Sequence, residues 1–157
     1  SHTLEAISQS DSFPATILKL FIVYGPYQGR GRLIPDVIRA LLAGEEISVS
    51  SGQQKRDFCY VGDIVNALKL SAIKKKAIGK NINIGSGRSI PVIDIVKKIE
   101  SKVGTGKVIY GGRKIREHEN LDLYPDTTLA KKILEWQPST DIETGIDLSI
   151  QHYKKRI

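Results

Sequence analysis

The sequence has one cysteine, three histidines and no apolar run near the roughly 20 residues that a membrane-spanning helix needs. Each shortage closes off a class of function. A lone cysteine, Cys59, forms no internal disulfide, and its place inside an apolar stretch makes it a small buried hydrophobe rather than a reactive thiol. His2, His118 and His152 are too far apart to show metal-ligand spacing. No GxSxG, HExxH or paired-cysteine motif occurs, so an autonomous hydrolase or metalloenzyme finds no support. The first residues, SHTLEAISQS, carry neither the basic start nor the apolar block of a secretory leader, so the expectation is a cytoplasmic protein that engages no membrane.

What is present is the make-up of a globular protein: 157 residues, 40% hydrophobic and 26% charged. A chain of this length forms one domain that buries about 70% of its unfolded surface. The formal charge of +7 raises the question of nucleic acid, since clustered lysines displace counterions from phosphates. The clusters answer it. Lys74 to Lys76, Lys97 with Lys98, Lys131 with Lys132, and Lys154 to Arg156 fall late in four predicted helices, where cations meet the negative end of the helix dipole. They have no aromatic interleaving, and no nucleic-acid partner is expected.

The patterning alternates strand and helix. Ala15 to Tyr24 is nearly unbroken apolar sequence, the pattern of a strand buried on both faces in a parallel sheet. Ile34, Val37, Ile38, Leu41 and Leu42 recur at helical spacing with Pro35 in the first turn. Ile47 and Val49 alternate with polar neighbours. Asn81 to Gly85 is a further strand, to run parallel to Ala15–Tyr24. Val92, Ile95, Val96, Ile99 and Val103 make a second helical stripe, ended by Gly104. A helix is expected from Asp126 to Trp136, and Thr140 with Glu143 has the spacing of a capping box before a last helix. The sum is an α/β architecture.

The most informative stretch is Gly52 to Asp63, GQQKRDFCYVGD. A turn at Gly52 leads into an apolar strand with Arg56 and Asp57 at its mouth, and Asp63 is placed to cap a helix that runs to Gly79. An always-charged, planar guanidinium grips phosphate oxygens through two parallel hydrogen bonds, so Arg56 and Arg116, on separate loops, suit a diphosphate. On the residues alone, ordinary ion pairs of Arg56 with Asp57 or Asp63, and of Arg116 with Glu117 or Glu119, are the simpler account. The glycine turns are weaker still. GRG at 29–31 lacks the rest of a dinucleotide fingerprint, and GSG at 85–87 reads as a compact turn.

The RDFCYVGD run, with KLFIVYGP at 19–26, LIPDVI at 33–38, NINIGSG at 81–87, REHE at 116–119, Asp126 and LEWQP at 134–138, resembles the extended short-chain dehydrogenase/reductases, the nucleotide-sugar epimerases and dehydratases. The resemblance covers nearly all of residues 1–157. It implies the C-terminal portion of such an enzyme: the last strands of a Rossmann-like parallel sheet with a small α/β substrate-binding lobe. It also implies that Arg56 and Arg116 hold a nucleotide diphosphate, that Leu33, Ile34, Val49 and Phe58 line the nucleotide pocket, and that Phe21 lies near the nicotinamide. The glycine-rich loop and Tyr-x-x-x-Lys pair of that family are not in this sequence. NAD or NADP is therefore expected in the intact enzyme, none bound to this chain alone, and no catalysis from it alone. Expected partners are a nucleotide-diphosphate sugar and either a second copy or the missing N-terminal half. A stand-alone anion-binding module is the alternative. Ile22 and Lys19 stand where relatives carry asparagine and arginine, a departure in the substrate strand.

Overall fold

The structure is a computed structural model and describes residues 13–113 and 120–156. The expected parallel pairing is present. Strand β1 (Ile17–Leu20) runs alongside β6 (Asn81–Ile84), with Ile17 opposite Asn81 and Leu20 opposite Ile84. The apolar run is nevertheless two strands rather than one. Phe21 donates its N–H to the Ile84 carbonyl at 3.0 Å, and the chain then changes partner, so that β2 (Ile22–Tyr24) pairs in parallel with β5 (Phe58–Tyr60). A third parallel pair joins β3 (Glu46–Ser48) to β8 (Lys107–Ile109). Between them, β4 (Lys55–Arg56) is flanked by antiparallel β7 (Ile90–Pro91) and parallel β9 (Asp122–Leu123).

Burial of the first run on both faces is not observed: Leu20 and Ile22 are about four-tenths exposed, at 45% and 41%. The reason is local. β1 has β6 along one edge, and among the described residues no strand lies along the other. Because Ile17 and Phe21 point their N–H groups at β6, the intervening Leu18 and Leu20 direct theirs to the opposite edge.

Two apolar clusters fill the interior. The first lies between α1 (Leu33–Leu42), α3 (Val92–Val103) and α4 (Ile142–Lys154), and gathers Val37, Ile38, Leu41, Ile95, Ile99 and Ile146. The stripes of α1 and α3 are the ones the sequence spacing predicts. The second lies under α2 (Val61–Ile73) and holds Ile64, Ala67, Ile82, Ile84, Leu134 and Trp136. Among the described residues no helix is long and apolar enough to cross a membrane. Burial pushes the Cys59 thiol up to about 12, and its side chain is inside the second cluster, so it packs and does not react.

Four local expectations are corrected. Asp63 does not cap α2, because Tyr60 holds that position and the helix starts at Val61. The same helix stops at Ile73, not Gly79, and a short turn of 3-10 helix, Lys75–Ala77, follows. From Asp126 the chain makes only a brief helical segment with a π-helical turn at Ala130–Leu134, closed by Glu135 in a left-handed conformation. α4 is capped by Asp141, whose carboxylate accepts from the Thr144 N–H at 2.8 Å. Glu143 leaves the capping box for ion pairs with Lys98 and Lys102 of α3.

Candidate functional site

The site is built where β4 meets the turns on either side of it. Gly52, at φ 67°, allows its loop to close on α3: its carbonyl accepts from Ile93 N–H at 2.9 Å, and the Gln54 carbonyl accepts from Val92 N–H at 3.0 Å. Those bonds satisfy free donors of the first turn of α3. A side chain at position 52 would sit 2.7 Å from the Ile93 nitrogen, so only glycine makes this approach. The loop thereby fixes where β4 begins.

Arg56 and Asp57 then diverge, because successive side chains of an extended chain point to opposite faces. Asp57 goes inward, 1% exposed. Its carboxylate accepts from the Ser86 N–H at 2.8 Å, the Ser86 hydroxyl at 2.7 Å and the Arg88 N–H at 3.1 Å. The Arg56 side chain lies at the surface, where Nη1 donates to the Lys55 and Asn120 carbonyls, both at 2.7 Å. Asp63 is equally committed: it accepts from Ser139 N–H, Ser139 hydroxyl and Thr140 N–H at 3.0, 2.8 and 3.1 Å. The two aspartates of the RDFCYVGD run are thus internal anchors rather than partners of Arg56. Period-two alternation alone predicts the divergence of Arg56 from Asp57; nothing local in sequence points to donors 29 or 76 residues away.

Arg116 lies outside the described residues. The residues on either side of 114–119 are described. On one side Arg113 donates its N–H to the Val49 carbonyl at 3.2 Å, and on the other Asn120 meets Arg56. Residues 114–119 are therefore bracketed by two of the candidate positions. Ile34, Val49 and Phe58 come together in the first apolar cluster, with Leu33 packed half-buried against it. Their described side chains are core. Phe21 does not join them; it sits half-buried at the hinge between β1 and β2. Lys19 and Ile22 are exposed on the same run.

Neither glycine turn fits a cofactor diphosphate. The Gly31 N–H points at the carboxylate of Asp36, 3.0 and 3.2 Å from its two oxygens. In the 85–87 turn the Ser86 and Arg88 donors are taken by Asp57. In both turns an internal carboxylate already occupies the place a phosphate would take. Asp126, exposed, has its carboxyl held below the ordinary range by hydrogen bonds from Thr128, and it caps the following helical segment. No group of three or more potential metal ligands occurs among the described residues.

A parallel α/β sheet with an outward arginine beside a loop-lined cluster defines a class, and comparison places the chain within it. Residues 1–85 match the model of the NAD dependent epimerase/dehydratase family, and the chain belongs to that family. It is 30% identical over 145 residues to an uncharacterized UDP-glucose epimerase of Bacillus subtilis, 92% of this chain and 46% of that protein. It is 31% identical over 151 residues to a UDP-N-acetyl-alpha-D-glucosaminuronate decarboxylase of Bacillus cytotoxicus, 90% of this chain and 47% of that one. The UDP-glucose 4-epimerase of Thermotoga maritima, solved with UDP-glucose, superposes at a TM-score of 0.90 with 28% identity, over 99% of this chain and 50% of that one. The chain spans about half the length of the curated relatives it matches.

Proposed function

We propose that this chain is the substrate-binding part of an NAD(P)-dependent nucleotide-sugar epimerase or dehydratase, in which Arg56 and Arg116 grip the diphosphate of the nucleotide sugar. The observation that carries the reading is the contact of Arg56 with Asn120, four residues from Arg116 in sequence, while Arg113, on the other side of 114–119, is bonded to Val49. The Arg56 guanidinium is steadied by two backbone carbonyls through one nitrogen, and a planar guanidinium suits a phosphate group by its paired donors. Leu33, Ile34, Val49 and Phe58 form the apolar floor against which base and ribose rest. In the intact enzyme NAD or NADP, when bound, would supply hydride chemistry, and Phe21 is the residue of this chain that would lie near its nicotinamide. The internal carboxylates in both glycine turns support a cofactor loop supplied from outside this chain. The open edge of β1 with exposed Leu20 and Ile22 supports a covering partner, either that remaining half or a second copy. The relatives bear the names of epimerases and decarboxylases alike.

Calorimetric titration of UDP, GDP and dTDP tests the reading. Arg56→Ala and Arg116→Ala are each expected to weaken the preferred nucleotide by about tenfold to a hundredfold, the worth of a lost charge-assisted pair. Stability changes little, because a surface arginine contributes little to the fold. Unaltered affinity in both variants would reduce the two arginines to surface residues without a shared ligand.

A further inference from the structure

A second cationic site lies apart from Arg56, in a groove of about 510 Å³ between α1 and the C-terminal end of α4. Arg30, Arg39 and Arg156 line it, with Asp36, Glu45 and Tyr153. None of Arg56, Leu33, Ile34, Val49 or Phe58 does. The groove runs along the flank of α1 that carries Asp36 and Arg39, whereas Ile34, Val37, Ile38 and Leu41 of the same helix face the core.

Two of the three arginines, Arg39 and Arg156, are set apart by what they touch. The ion pairs among the described residues use Lys74, Lys98, Lys102 and Lys107, and these arginines take part in none of them. Two are instead laid on aromatic rings: Arg39 sits over Tyr153 and Arg156 over Tyr27, each 4.7 Å from the ring centre. A ring under a guanidinium holds its plane in place and leaves its in-plane N–H donors for other acceptors. Tyr153 is buried and its ring fixed, whereas the Tyr27 ring is 75% exposed and is met by the His152 ring, with centres 4.3 Å apart. Tyr153 donates its hydroxyl to the Gln28 carbonyl at 2.9 Å. Tyr27, at φ 65°, is a non-glycine residue in left-handed backbone, and its N–H is bonded to His152 Nε2 at 3.3 Å. Strained backbone of this kind persists where its surroundings over-determine it. Of the groove's two acids, Asp36 is already bonded to the Gly31 N–H, so Glu45 alone offers an uncommitted carboxylate. The imidazole of His152, beside the groove, is held below its ordinary range first by desolvation and then by Arg156, Arg39 and Lys155, in keeping with a positive local field.

We propose that this groove is a second anion site that takes the phosphate group of a small phosphorylated molecule on Arg39 and Arg156, with Arg30 at its mouth. Holding two guanidinium groups on rings before the ligand arrives lowers the ordering cost of binding. The site is independent of the Arg56 reading and shares no residue with it.

Pyrophosphate is the probe, titrated into the full chain and followed by nitrogen–proton spectra of the backbone and the arginine Nε–H groups. Saturable shifts are expected at Arg39, Arg156 and Tyr27, and Arg39→Gln with Arg156→Gln is expected to weaken them by at least tenfold. Arg30→Gln, which rests on neither ring, should weaken them severalfold with the fold's spectrum unchanged, and it decides the matter if the double variant misfolds. Arg56→Ala should leave these shifts in place while UDP binding falls. Shifts confined to the surroundings of Arg56, or groove shifts unaffected by Arg30→Gln and the double variant, overturn the proposal.

Discussion

Gly145→Ala is expected to destabilise the protein by about 3 kcal/mol, the upper end of the usual overpacking cost, and for a chain of this size to lower its melting temperature by roughly 6–12 °C. On propensity alone the substitution would help, since alanine is favoured over glycine inside a helix by about 0.8–1.0 kcal/mol. Sterics outweigh that gain. A β-carbon at Gly145 in α4 would lie 2.0 Å from the Tyr24 hydroxyl oxygen and 2.7 Å from Cζ. Tyr24 has no room to retreat: it is 2% exposed and meets Phe58 and Tyr60 edge-on, with ring centres 6.4 and 5.9 Å away. Tyr24→Phe removes the nearest clashing atom, so the double variant should recover at least about 1 kcal/mol relative to the sum of the singles. Urea unfolding of the four proteins measures this. Strict additivity, or a net gain in Gly145→Ala, would mean that α4 slides away at little cost.

Asp57→Ala should cost a comparable amount, about 3 kcal/mol, although aspartate is a residue whose loss from a surface is usually harmless. Its carboxylate is buried and receives three donors from Ser86 and Arg88. Truncation leaves the Ser86 N–H without its acceptor and the other two donors with only their longer bonds within the turn, Ser86 hydroxyl to the Arg88 carbonyl at 3.1 Å and Arg88 N–H to the Ser86 hydroxyl at 3.2 Å, and an orphaned donor carries a penalty of about 1–3 kcal/mol. Asp57→Asn keeps one acceptor oxygen and should fall between. The control is Asp126→Ala, exposed and bonded to Thr128 N–H, with an expected loss of about 1 kcal/mol, typical of a cap. Thermal unfolding ranks them, and Asp57→Ala no worse than Asp126→Ala would show that water replaces the carboxylate. Because the turn it holds lies against β4, nucleotide binding at Arg56 should weaken too, without any contact between Asp57 and ligand.

The features that sequence showed well are those set by a repeating period. The stripes of α1 and α3, and the parallel run of Ile17–Leu20 with Asn81–Ile84, follow from which residues must be hidden and how often. The resemblance of GQQKRDFCYVGD to one family was also sound. What sequence hid depends on partners far along the chain. Asp63 resembles a helix cap by position, but donors at Ser139 and Thr140 claim it. Glu143 has capping-box spacing, but Lys98 and Lys102 on a neighbouring helix compete for it. The change of strand partner at Phe21 leaves no mark in an apolar run, because both pairings want the same kind of residue. At the site, Arg56 was legible as an outward cation, whereas the commitment of Asp57 to a glycine turn was not.

Strands β2 and β5 divide their side chains between the two interiors: Tyr24 and Phe58 enter the cluster of α1, α3 and α4, while the adjoining Val23 and Cys59 enter the one under α2. A wall one chain thick cannot leave one room standing when the other falls. The two regions should therefore melt in one transition and not as successive steps. Of Val23, Tyr24, Phe58 and Cys59, the backbone amides that bond across the β2–β5 pair should exchange with deuterium only as fast as the whole molecule opens. Exchange at those amides that outpaces global unfolding would mean that the shared wall breathes on its own.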